Sequence, residues 1–392
     1  MRKHLFAPAA LLVCAGALAA QTTFVSPARS ASIDAYSSSS YPFRNSSVAT
    51  GRYQSYMEIH DLPSTAKGKL SGIALRREGF NTGSNWYDDP SPAITADMEI
   101  RVSTSVNTAA TMVSTLASNH GADKTTVLKR AKVNFKSIPR IPNVLAQPFL
   151  FKFPFDSGST LAFAGGKSLA YEVEIFDHDL YDQQNSTYKY IYFDRDYNTT
   201  SGRSQQNGRA CYGSNTASVL PYYSYWYSSY YSTTNVLRMY GYAYNGVSGG
   251  VSVALLSGGL LPAALKLPGD CWLYIDPAKI FMTVPGTGLT SSASKSTTHY
   301  IPPYIANNTS RQYLDIPWDP KFAGAQMEVQ TLGIDPTANS LGLTLSNNNT
   351  VFVPNYSTNG LPVSYGYRYQ SGTNFYEYAY KDQGNVTQFL FN

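Results

Sequence analysis

The sequence predicts an all-β protein: two antiparallel β-sandwich or jelly-roll-like domains following an N-terminal signal peptide. Three observations predict it. Apolar and polar residues alternate in short runs bounded by Gly, Pro, Asn, Asp and Ser. Helical periodicity is almost absent, so no crossover helices exist to return parallel strands, and antiparallel order follows. The chain is 392 residues long, enough for two or three cores. Its composition, 43% hydrophobic and 14% charged, excludes a disordered chain, which needs low hydrophobicity with high net charge.

The elements follow in chain order. Residues 1–20 read as a signal peptide: a basic start at Arg2 and Lys3, an apolar run to Leu18, and the small-x-small pattern Ala17-Leu18-Ala19. Cys14 could mark a lipoprotein site, but Val13 before it is larger than such a site wants. No later stretch is apolar for long enough to span a membrane as a helix, so no transmembrane segment is expected in the mature chain. Export places that chain outside the cytoplasm, secreted or at the cell surface. Residues 21–50, with Ser37 to Ser40, read as a loose segment.

Residues 51–203 read as an N-terminal sandwich, with strands near 69–76, 97–103, 132–135, 149–153, 169–176 and 189–195. Residues 108–118 are the one candidate for a short helix or turn. A polar, Gly-containing linker is expected at 197–216. A C-terminal sandwich over 204–355 has strands near 236–244, 251–257, 271–275, 313–316, 326–334, 342–345 and 350–353. The tail 356–392 alternates Tyr365, Tyr367 and Tyr369 with polar or small residues, then repeats the pattern at 375–380 and 386–391. Three such strands expose too much aromatic surface to stand alone, so they are expected to dock on a sandwich.

Without the signal peptide only Cys211 and Cys271 remain. They form the single available disulfide or stay as two buried thiols. The net charge falls from +5 to +3 on losing Arg2 and Lys3, too weak a balance for a nucleic-acid partner.

Several short motifs carry a resemblance. Gly72-Ile-Ala-Leu-Arg76, Met98-Glu-Ile-Arg-Val-Ser-Thr-Ser105, Asn119-His-Gly-Ala-Asp-Lys-Thr-Thr-Val127 and Gln147-Pro-Phe-Leu-Phe151 mark the first half. Cys211-Tyr-Gly-Ser214, Pro268-Gly-Asp-Cys271, Ile316-Pro317 and Leu332-Gly-Ile-Asp-Pro-Thr-Ala-Asn-Ser-Leu-Gly342, then Leu345-Ser-Asn347, mark the second. Together they resemble uncharacterised secreted two-module β-sandwich proteins of planctomycete-type bacteria. That resemblance implies a Cys211–Cys271 disulfide inside the second module. It implies no activity. The Tyr-rich insert at 222–234 and the tail after Pro354 depart from it.

Chemistry-bearing constellations are few. The mature histidines are His60, His120, His178 and His299; none sits in a Gly-x-Ser-x-Gly elbow or beside a catalytic cysteine signature. His120 reads as a surface turn residue. Asp88-Asp89 before Pro90 reads as turn chemistry. Glu172 and Glu174 share one strand face, where a solvated face competes with a glycosidase acid pair. Asp194-Arg-Asp-Tyr-Asn198 copies the start of a calcium loop but has Thr199 for its Gly and Gln205 for its Glu. If 169–176 and 189–195 form a hairpin, Glu172, Glu174, Asp194 and Asp196 share its outer face and form a calcium candidate, set against a salt-bridged surface. No other cofactor is expected.

The sharpest anomaly is tyrosine, 32 of 392 residues. Tyr223, Tyr225, Trp226, Tyr227, Tyr230 and Tyr231 crowd one short stretch and are the candidate ligand contacts. Tyr with Ser is a rigid, sticky contact composition, and aromatic faces also stack on sugars. A strand that packs its rings along a sandwich is the alternative. The expected role is a non-catalytic structural or interaction protein, whose partner is a surface or matrix protein, a glycan, or a second copy. A carbohydrate-binding protein is the second reading. Prolines and uneven strand spacing argue against an outer-membrane barrel.

Overall fold

The computed structural model describes residues 21–33, 35, 37–43, 53–79, 90–139, 141, 146–182, 187–188, 191–212, 221–247, 249–286, 310–371 and 373–392, with backbone alone at 37, 181, 182, 187, 188 and 371. Residues 1–20, the expected signal peptide with Cys14, and Asp88, Asp89 and His299 lie outside the described residues. The fold is all-β, and every described strand pairing is antiparallel. Among the described residues no helix is long and apolar enough to cross a membrane.

A six-stranded sheet runs in the order Asn374–Tyr380, Val363–Ser371, Gln54–Asp61, Ser168–His178, Ile94–Thr104, Thr125–Phe135. Facing it are Thr22–Ser26, Thr387–Phe391, Gly68–Leu75 and Phe151–Phe153, with Leu161–Phe163 also on Gly68–Leu75. A small sheet of Ser37–Ser39, Phe193–Tyr197 and Gln383–Asn385 completes this layer. Period-two patterning builds the core. Ile94, Ala96, Met98, Ile100 and Val102 alternate inward from one sheet and meet Ile73, Phe151, Phe193 and Phe389 from the other.

The second sandwich packs Arg203–Asn207, Leu343–Phe352, Gln326–Ile334, Ser252–Ser257 and Ile280–Pro285 against Tyr223–Tyr231, Val236–Tyr244 and Ser310–Pro317. Trp226, Met239, Leu256, Val329 and Val351 fill its centre. A hairpin of Leu260–Leu267 and Cys271–Ile275 lies beside it. Cys211 and Cys271 form the expected disulfide, with Cα atoms 4.7 Å apart, packed on Leu345. The Leu332–Gly342 motif is a turn: Asp335 Oδ1 accepts from the Thr337 N–H at 3.2 Å, and Asn339 Nδ2 donates to the Leu343 carbonyl at 2.6 Å.

Four expectations change. The segment 21–50 is not loose where described: Thr22–Ser26 pairs with Thr387–Phe391, and Ser37–Ser39 pairs with Phe193–Tyr197. The tail is β structure, but it is built into the first sandwich rather than added to it. Val363–Ser371 lies between two strands of the larger sheet, and Thr387–Phe391 lies between Thr22–Ser26 and Gly68–Leu75. The bounds 51–203 therefore omit both ends of that sandwich. The linker at 197–216 contains a strand, Arg203–Asn207, whose polar residues pair with the equally polar Asn348, Asn349 and Thr350. Finally, the neighbours of Ser168–His178 are Gln54–Asp61 and Ile94–Thr104, so no hairpin joins it to the strand after 190. The candidate helix at 108–118 resolves into two 3-10 turns, Ala109–Thr111 and Leu116–Asn119, whose Met112 and Leu116 cover Met57 and Ile59.

Candidate functional site: a tyrosine-lined sheet face

The Tyr223–Tyr231 strand owes its orientation to small residues facing inward. Ser224 N–H donates to Asn347 Oδ1 at 2.9 Å, and Ser228 Oγ donates to the Phe352 carbonyl at 2.7 Å. Trp226 is fully buried between them, and its Nε1 donates to Thr331 Oγ1 at 3.3 Å. Period two then forces Tyr223, Tyr225, Tyr227 and Tyr231 onto the outer face. The next strand places Arg238, Tyr240, Tyr242 and Tyr244 there, and the third adds Arg311, Tyr313 and Asp315.

Of the six candidate contact residues, four are therefore on this face and two are not. Trp226 belongs to the core. Tyr230 is buried, stacked at 4.7 Å on Tyr356 and 4.8 Å from Trp318. The sequence showed the cluster but not the phase; Ser224 and Ser228, small enough to approach the facing sheet, were the signal for it.

The rings stand against one another. Tyr227 stacks on Tyr240 with centroids 4.8 Å apart and planes 20° from parallel, and Tyr242 on Tyr244 at 6.1 Å and 16°. Arg238 lies over the Tyr231 ring at 5.1 Å and Arg311 over Tyr242 at 5.9 Å. Stacking and guanidinium contacts thus cover faces of Tyr227, Tyr231, Tyr240, Tyr242 and Tyr244. The Tyr231 and Tyr240 hydroxyls touch. Burial, then the neighbouring tyrosines, push the Tyr227 and Tyr244 phenols above their usual range. Tyr313 is the outlier, 65% exposed.

The four calcium candidates do not come together. Glu172 and Glu174 lie on the outer face of the six-stranded sheet. Glu172 accepts from Ser55 Oγ at 2.7 Å and lies 3.1 Å from His120 Nε2 and 3.5 Å from Lys124 Nζ. Burial would raise this carboxyl, but the hydrogen bonds from His120 and Ser55 and the Lys124 charge hold it well below the usual carboxylate range. Glu174 meets Arg101 and the Tyr53 hydroxyl. Asp194 and Asp196 lie buried on a different strand, where they staple the N-terminal segment. Asp194 accepts from Arg76 and from the Ala35 N–H at 2.9 Å; Asp196 accepts from Arg29 at 3.1 Å and Ser30 Oγ at 2.7 Å. The overlap with a calcium loop fails because Phe193–Tyr197 is a paired strand. No cluster of three or more metal-ligating side chains occurs among the described residues.

Two polar networks escaped the sequence reading. His120 is a turn residue, but its ring is buried: Nδ1 lies 2.8 Å from Ser103 Oγ. Ser, His and Glu172 line up like a nucleophile, base and acid, yet Ser103 has no exposed surface and its Oγ also accepts from the Gly121 N–H at 3.3 Å. In the first core, the buried Glu58 accepts from the Tyr56 and Tyr171 hydroxyls, from the Asn385 N–H, and from Thr387 Oγ1 at 3.2 Å. His60 stands 3.0 Å from Glu58 and 3.0 Å from Ser26 Oγ. This network joins both chain ends to the middle of the sheet. No alternation pattern announces a buried acid two of whose partners, Asn385 and Thr387, lie more than 300 residues away.

No family model, curated protein or solved structure matches the chain.

Proposed function

We propose that the protein is an exported, non-catalytic interaction protein of the cell exterior, and that the tyrosine face of the second sandwich is its contact surface for another protein. One observation carries the choice of partner class: four rings of this face stack in pairs, Tyr227 on Tyr240 and Tyr242 on Tyr244, and Arg238 and Arg311 lie over Tyr231 and Tyr242. A sugar ring needs an open aromatic face. A protein surface needs flat, rigid area with hydroxyls that hydrogen-bond at little entropic cost, which stacked tyrosines supply. The absence of chemistry is supported by the acids themselves, since Glu58, Glu172, Glu174, Asp194 and Asp196 are buried and engaged by partners within the fold.

Glycan binding is the second reading, favoured only by the exposed ring of Tyr313. Fractionation of cells producing the wild type and a Tyr225→Ser/Tyr240→Ser/Tyr313→Ser variant separates the two. The protein reading expects the wild type at the cell surface, the variant released to the medium, and neither retained on insoluble polysaccharide. Retention on polysaccharide that Tyr313→Ser alone abolishes supports the second reading instead. A variant that localises as the wild type removes the face from the function.

A further inference from the structure

An unpaired edge strand is a template for another strand, and proteins that must stay apart blunt their edges with Lys, Pro or bulges. The six-stranded sheet has two edges built in opposite ways. Thr125–Phe135 carries Lys129, Arg130 and Lys132, all exposed. Elsewhere, the exposed strand Leu260–Leu267 carries Pro262 and Lys266. At the other edge of the six-stranded sheet, Asn374–Tyr380 has neither Lys nor Pro, and it pairs with Val363–Ser371 without a bulge. Among the described residues no strand pairs with its far side. Phe375, Tyr376 and Tyr378 are 56%, 40% and 38% exposed. Its single charge, Glu377, lies 3.6 Å from Arg368 of the same sheet and is offset there.

We propose that this edge is a self-association site: the same strand of a second copy pairs with it, antiparallel, about a two-fold axis at Tyr378. Charge and rings select that register. An axis at Glu377 would set two glutamates directly opposite, which destabilises a strand pair. An axis at Tyr378 moves the two glutamates from opposite to diagonal positions, puts Glu377 opposite Ala379 of the second copy, and gives it that copy's exposed Lys381 as its other diagonal neighbour, within reach of two long side chains. It also sets Tyr376 opposite Tyr380 and Tyr378 opposite itself.

The sheet already uses such pairs. Tyr369 stacks on Tyr376 at 5.3 Å and 19°, Tyr367 on Tyr378 at 5.1 Å and 27°, and Tyr365 on Tyr380 at 5.1 Å and 13°. The second copy extends this ladder by the geometry it already has. The contact is isologous and closes on itself, so it makes a dimer rather than a filament. It involves the first sandwich alone and stands whatever the tyrosine face of the second one binds.

Analytical ultracentrifugation of the full mature chain over a concentration series tests it. The wild type is expected to reach twice the monomer mass, with slowed amide exchange across Asn374–Tyr380 appearing at the same concentrations. Tyr376→Lys/Tyr378→Lys is expected to stay at monomer mass, and Tyr313→Lys to dimerise as the wild type does. Should the double variant fail to fold, the exposed pair decides. Lys381→Glu raises the dissociation constant several-fold, and Glu377→Lys/Lys381→Glu restores it. A wild type that remains monomeric throughout overturns the proposal. So does a dimer untouched by the lysine substitutions, or a Lys381→Glu loss that the charge swap does not repair.

Discussion

Trp226 occupies the space over Gly241 of the neighbouring strand, so closely that a Cβ on Gly241 would stand 2.1 Å from the indole Cε2. The two residues are paired in register at the centre of the second sandwich. Any side chain at 241 must push the indole out of a dry core. Gly241→Ala is expected to cost about 2 kcal/mol as an overpacked site, and Trp226→Ala about 4 kcal/mol as a cavity. Melting by circular dichroism gives the magnitudes. Tryptophan emission gives the mechanism, since Gly241→Ala should shift it to the red. An unshifted spectrum with unchanged melting would sink this account of the pair.

The acid limb of stability should run through Glu172. Its partners hold the carboxyl well below its ordinary value of 4.5 in the folded state. A depressed folded value means the stabilisation is complete above about pH 4.5 and is lost as pH falls further, because only the unfolded chain then takes up the proton readily. The melting temperature should fall steeply below that pH. Glu172→Gln should flatten the fall while lowering stability at neutral pH, because Lys124 and Arg101 then lose a charge partner. A Glu172→Gln profile parallel to the wild type at acid pH would remove this residue as the cause.

The alkaline limb has the opposite sign. Burial first, then the Glu58 charge, raises Tyr56 and Tyr171 well above 10, and burial with the Glu174 hydrogen bond pushes Tyr53 up to about 12. A phenol raised in the folded state stabilises fully below its unfolded value near 10 and loses that contribution as pH rises through the folded values. Phenolate absorbance should therefore appear in two steps. The buried rings ionise in the later step, together with loss of near-ultraviolet circular dichroism. A single step near pH 10 with the fold intact would contradict the burial of these rings.

What was legible in the sequence divides along physical lines. Alternation reported strands and faces wherever one face is apolar, as at Ile94–Thr104 and at Tyr365, Tyr367 and Tyr369. It could not report which strands are neighbours, because pairing depends on contacts distant in sequence. Local alternation is therefore compatible with Asp194 beside Glu174, whereas its partners are Arg76 and Ala35. Polarity misled twice. Arg203–Asn207 looked like a linker because its partner strand, with buried Asn348 and Asn349, is just as polar. The segment near Ser37 looked loose because buried Asp194 and Asp196 hold its approach, and no local pattern reveals that. For the tyrosine cluster the residues were evident and the phase was not, so Trp226 and Tyr230 were placed on the wrong side.

The second sandwich should be removable and the tail should not. The chain leaves the first sandwich after Tyr197 and returns near Asn355, and the two crossing points are tied together. Asn198 Nδ2 donates to the Ser357 carbonyl at 3.1 Å, Ser357 N–H returns to Asn198 Oδ1 at 2.7 Å, and Thr199 N–H donates to the Asn355 carbonyl at 3.3 Å. A short Gly/Ser linker in place of residues 204–352 therefore spans a gap that is already closed, and the remaining chain should melt cooperatively. Deleting 356–392 instead removes Val386, Phe389 and Phe391, all buried, and leaves Glu58 without Asn385 and Thr387. Three buried apolar side chains at roughly 2 kcal/mol each approach the whole stability of a typical domain, before the stranded acid is counted. That truncation should yield no cooperative melt, and the separate peptide 356–392 added in trans should restore one. A truncated chain that melts like the full protein would show that the first sandwich closes without its last four strands, and that the ladder seen along Thr387–Phe391 is not what holds the N-terminal strand in place.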